Sequence, residues 1–178
     1  MADLLAHVLL AYVLFTAAGW RFGAVTDRWV AVAMGGAALP DLVKVNLVWS
    51  EQTVEAALGV PSTYQPLSTL GGVALTAGVV ALLFGGEYRR RAYAFLLAGG
   101  VTSLVVDGFR ITLDGRAGSL LYPVTWWEPP SPNLYLTSDP RVLVVAVALA
   151  FVVYGFDRYR SRPAESGEAV AASEEATE

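Results

Sequence analysis

The chain has 178 residues, enough for one domain, with 55% hydrophobic residues and a mean hydropathy of +0.51. That apolar fraction exceeds what a soluble domain of this size buries in one core, and points to lipid contact. Cysteine is absent, which excludes disulfides, thiolate metal sites and thiol nucleophiles, and no basic patch interleaved with aromatics suggests nucleic acid. The net charge of −4 belongs to the end of the chain, where Glu165, Glu168, Glu174, Glu175 and Glu178 stand without a basic residue.

Five apolar segments follow in order. The first runs from Leu4 to about Trp20, with His7 inside it; no basic stretch precedes it, so it reads as a retained membrane helix rather than a leader. The second runs from Trp29 to about Val48 and is interrupted by Pro40-Asp41 and Lys44. Ser50 to Thr69 is a connection with a short helix expected around Glu51–Leu58, followed by Gly59, Pro61 and Pro66. The third segment runs from about Leu70 to Gly86 and the fourth from Ala92 to about Phe109, ending on Asp107. A longer connection carries an Asp114-Gly115 turn, Leu120-Leu121-Tyr122-Pro123, Trp126-Trp127 and a proline-rich stretch from Pro129 to Pro132, suited to an interfacial belt or lid. The fifth segment runs from Val142 to Phe156. Gly35-Gly36, Gly71-Gly72 and Gly99-Gly100 lie within or beside segments, where small residues let helices approach closely.

A spanning helix needs about 20 mostly apolar residues, and several of these segments reach that length only by including Asp41 or Asp107. The expectation is an all-α, multi-pass bundle of five transmembrane helices with an outward-facing polar pocket, residues 1–162, followed by an acidic disordered tail, 163–178. Arg21 and Arg28, then Arg89 to Arg91, then Arg158, Arg160 and Arg162 place three connections on the cytoplasmic side, so the N-terminus lies outside and the C-terminus inside a cell membrane.

That topology brings His7, Asp41 and Asp107 to the outer face, with Ser68 beside them and Ser103 on the helical face of Asp107. Ionisable groups at membrane depth usually mark a site. One imidazole and two carboxylates form a workable ligand set for zinc, manganese or iron, and a bound metal can activate water. The plainer alternative pairs Asp41 with Lys44 and Asp107 with Arg110, each near a helix end. A Ser-His-Asp arrangement using Ser68 or Ser103 is open, although no Gly-x-Ser-x-Gly elbow accompanies it.

Together these residues resemble a family, the membrane-bound metal-dependent hydrolases of the LexA-regulated inner-membrane type, in their archaeal branch. The early His is His7 in Ala-His-Val-Leu-Leu-Ala-Tyr, and Leu39-Pro40-Asp41 matches directly. Ser68 and Ser103 stand where the family has histidines, in Leu67-Ser68-Thr69-Leu70-Gly71-Gly72 and Ser103-Leu104-Val105-Val106-Asp107, and Gly118 with Leu120-Leu121-Tyr122-Pro123 matches the last signal. The resemblance spans roughly Ala2 to Trp127. It implies a divalent metal, zinc or manganese, held by His7, Asp41 and Asp107, and hydrolysis of a lipid or phosphoester at the outer surface. The serines at two ligand positions imply the alternative of an inactive member, a pseudoenzyme kept as a membrane scaffold or a lipid head-group binder. The partners expected are membrane lipid and a protein partner or second copy.

Overall fold

A computed structural model describes residues 2–61, 63–136 and 139–175; side chains are described only from 4 to 160. The expected tail, 163–178, thus lies outside the described side chains, and its last three residues lie outside altogether. The architecture is all-helical, with no strand among the described residues. In chain order the helices are α1 (Ala2–Gly19), α2 (Asp27–Ala37), α3 (Glu51–Leu58), α4 (Leu70–Ala81), α5 (Gly86–Gly108) and α6 (Pro140–Glu175). Two 3-10 segments, Pro40–Leu47 and Gln65–Ser68, join them.

All five apolar segments become helix, but they differ in reach. Among the described residues only Pro140–Arg160 of α6 is by itself long and apolar enough to cross a membrane. A second candidate arises if α2 and Pro40–Leu47, bent by 45°, count as one broken span. The break falls at Leu39-Pro40: the proline lacks an N–H and cannot continue the ladder of α2, so the chain tightens into a 3-10 helix. α1 and α4 are apolar but shorter, and α5 carries Glu87 and three arginines in its first turns.

The helices alternate in direction. At one end Trp20 Nε1 donates to Asp157 Oδ1 at 2.8 Å, and Arg91 stacks over Trp29 with its guanidinium 4.6 Å from the ring centre. The start of α1, the end of α5 and the 3-10 segments gather at the other end.

Small residues make the interior. Ala33 and Ala37 of α2 face Gly99 of α5 so closely that a Cβ on Gly99 would enter the Ala33 carbonyl, and one on Gly36 would enter the backbone of Leu96. Gly100 likewise leaves room for Val73 of α4. Large apolar side chains point outward instead: Leu75 is 68% exposed and Phe151 71%. Small inside and large outside is the pattern of helices packed in lipid, where close backbone approach replaces the hydrophobic effect as the adhesive.

The connections behave as their residues require. Ser50 caps α3 by accepting from Thr53 N, and Gly59 ends it in the left-handed region at φ 70°. The segment from Arg110 to Tyr135 folds back over the end of α5, tied by Ile111 N to Tyr135 O at 2.8 Å, Leu134 N to Phe109 O at 2.9 Å and the Tyr135 hydroxyl to Val106 O at 2.7 Å. It also reaches α4: Leu70 N donates to Leu120 O and Gly71 N to Tyr122 O, both at 2.8 Å.

Candidate functional site

His7 lies in the second turn of α1, where its neighbours Ala6 and Ala11 are buried against the bundle. It is 3% exposed, an expensive position for an imidazole unless its nitrogens find partners. They do. Ser103 Oγ, itself 1% exposed, shares a hydrogen bond with Nδ1 at 2.9 Å. Asp41 Oδ2 lies 3.7 Å from the same nitrogen, and Asp107 Oδ1 lies 3.6 Å from Nε2. Three elements distant in sequence thus deliver His7, Asp41, Asp107 and Ser103 to one buried point. Asp41 arrives because the 3-10 segment turns inward at Pro40; Asp107 and Ser103 arrive together because four residues complete about one turn of α5.

Each carboxylate also has its own cation. Lys44 Nζ is 2.6 Å from Asp41 Oδ1, and Arg110 NH1 is 3.7 Å from Asp107 Oδ1, both at i,i+3 spacing. Both cations reach partly to solvent while their acids stay inside. With the imidazole uncharged, this arrangement is electroneutral. Placing the ring proton on Nε2 suits the geometry: Ser103 then donates to Nδ1 and the N–H faces Asp107. Asp41 Oδ2 is buried without a hydrogen-bond partner, since at 3.7 Å it is too far from Nδ1 to accept one from it.

The donor set suits a single divalent ion poorly. The lone-pair directions of the two ring nitrogens diverge, and the carboxylates sit on different nitrogens. An ion on Nδ1 could reach Asp41 but not Asp107, and one on Nε2 the reverse. Either would have two protein ligands, fewer than the three that catalytic sites supply. Among the described residues no group of three or more His, Asp or Glu is placed to hold one metal ion.

Ser68 stands apart from this cluster. It closes the second 3-10 segment and donates to Gln65 O at 3.0 Å. It lines a neighbouring cavity of about 570 Å³, together with Arg110, Ser119, Tyr122, Trp126 and Glu128. Arg110 is therefore shared between the buried cluster and the cavity wall. Glu128 Oε2 is 3.9 Å from NH1 of Arg116, which does not line the cavity, and the rings of Tyr122 and Trp126 lie 4.5 Å apart. On the same loop the Arg116 N–H held by Asp114 keeps that carboxyl below the usual carboxylate range.

Sequence reasoning found the imidazole, both acids and their two cations. It treated ion pairing and site formation as competing accounts; the ion pairs with Lys44 and Arg110 are present, and His7, Asp41 and Asp107 also lie together. It missed the cavity wall: Ser119 and Glu128 have no spacing signal and join Arg110 only because the loop folds back. Comparison with family models, with curated proteins and with solved structures finds no match.

Proposed function

We propose that the chain is a multi-pass membrane protein of the metal-dependent membrane hydrolase type, one that keeps the fold without a working ligand set and binds a polar lipid head group at its outer face without cleaving it. The observation that carries this reading is the private cation of each carboxylate, Lys44 for Asp41 and Arg110 for Asp107, around a His7 whose two nitrogens serve different acids. Lys44 and Arg110 supply the positive charge that a ligand set would otherwise take from a metal. The adjoining cavity offers what a phosphate-bearing head group needs: the Arg110 guanidinium, serine hydroxyls and two aromatic rings.

In this reading all five apolar helices cross the bilayer, α2 and Pro40–Leu47 forming a broken span. The arginine-rich end faces the cytoplasm and the His7 end faces out. Irregular backbone at depth is tolerated where protein covers it, as at the start of Pro40–Leu47, where Pro40 is buried; Leu42, Val45 and Leu47 are exposed.

Two measurements test it. Metal analysis of the detergent-purified chain, after reconstitution with zinc and with manganese, should give far less than one ion per chain. Near-stoichiometric metal that disappears in both His7→Ala and Asp107→Ala would restore the hydrolase reading. A phospholipid with a photoactivatable head group should label the loop between residues 119 and 128, and Arg110→Ala should remove that label. Absence of label on this loop, or release of the head group during incubation, would sink the binding role.

A further inference from the structure

We propose a second binding site at the opposite end of the bundle, in which an anionic phospholipid places its phosphate between Arg28 and Arg91 and an acyl chain along Val32 and Phe84. A cavity of about 430 Å³ opens there between the start of α2 and the start of α5, framed by these four residues with Trp29 and Tyr88. Its charge is one-sided. Asp27 and Glu87 occupy the first turns of the same helices, but neither lines the cavity, while Arg89 and Arg90 add positive charge beside it.

Arg91 is held ready. Its guanidinium lies flat against Trp29 at 4.6 Å and within 5.9 Å of Phe95, and one nitrogen donates to the Ala24 carbonyl. Trp29 is itself fixed, stacked on Phe95 at 5.3 Å. Five N–H donors leave Arg91 with unspent capacity, and a fork already oriented loses little freedom on meeting a phosphate. Arg28 supplies the second cation from the facing helix. Beside Thr26 and Tyr88 the remaining wall is apolar, formed by Trp29, Val32 and Phe84, and the chain runs on from it to the exposed Leu82 and Leu83, which suits an acyl chain better than a soluble phosphate ester.

The inference rests on the chain being membrane-embedded, not on the outer site. Native mass spectrometry of the detergent-released full chain, titrated with phosphatidylglycerol and separately with phosphatidylcholine, reads it. Phosphatidylglycerol should be retained about tenfold better, and Arg28→Ala and Arg91→Lys should each lower that retention about tenfold, as expected where a bidentate arginine contact is lost. Arg90→Ala, on the same helix but outside the cavity, should leave it within about twofold, the size of a general surface-charge effect. Equal retention of the two lipids, or equal losses in all three variants, would overturn the site. So would displacement by glycerol 3-phosphate at matching concentration, which would make it a site for a soluble phosphate. Alkaline carbonate extraction separates the premises: release of the chain would overturn the membrane placement, whereas a retained chain without lipid preference would overturn this site alone.

Discussion

His7 is the residue on which the buried cluster turns, because it lies beside three partners, Ser103, Asp41 and Asp107. Removing the ring takes a neighbour from two mostly buried carboxylates, which keep Lys44 and Arg110, and the Nδ1 partner from the buried Ser103 hydroxyl, whereas removing the hydroxyl leaves the ring two partners. His7→Ala should therefore cost about 2–4 kcal/mol and Ser103→Ala about 1 kcal/mol. Thermal unfolding in one detergent gives the order, and a larger loss for Ser103→Ala would mean that the ring is not the centre. Ser103 also offers a test of the family resemblance. If positions 68 and 103 correspond to lost ligands, Ser68→His combined with Ser103→His should raise zinc affinity. A well-folded double variant with unchanged affinity would count against that correspondence.

Between α2 and α5 the contact is made by absent side chains, and that sets the cost of adding one. Gly99→Ala pushes a methyl into the Ala33 carbonyl and should destabilise by about 1–3 kcal/mol, an overpacking cost. Gly35 has nothing within 4 Å of an added Cβ, so Gly35→Ala should be neutral or gain about 0.5–1 kcal/mol from helix propensity. Equal effects in thermal unfolding would mean that the two helices do not meet through this face. The sequence made α3 legible to the residue, because Ser50 and Gly59 are chemical stop signs. It made the meeting of His7, Asp41 and Asp107 legible as well, because antiparallel segments return polar positions of like depth to one end. It left the 12-residue length of α4 hidden, along with the carbonyls that cap it. Backbone donors and acceptors are common to all residue types, so a cap built from them leaves no trace in composition. The cavity beside Arg91 was equally hidden, since it depends on α2 and α5 being neighbours.

For the molecule as a whole, the arginine end and the His7 end should face opposite compartments. The absence of cysteine makes single reporters clean. In sealed right-side-out vesicles an impermeant maleimide should modify Val124→Cys, at an exposed position on the outer loop, and spare Arg90→Cys until the membrane is opened. The reverse result would invert the orientation. Thickness is the second whole-molecule property. At 1.5 Å per residue, α4 reaches only about 18 Å, well short of a hydrocarbon core of about 30 Å. In a multi-pass placement the exposed Trp126 and Trp127 would make up part of the difference by lying at the level of the head groups. The hydrogen bonds from Leu70 and Gly71 to Leu120 and Tyr122 carry a consequence for synthesis. While the ribosome is still making α5, the partners of the Leu70 and Gly71 amides are not yet translated, and in a membrane-embedded chain lipid would offer none. This helix therefore cannot settle in its final place as it emerges. In a membrane-embedded chain it would wait near the interface until the later loop arrives, so this contact would form after α5 is made and while α6 is still to come.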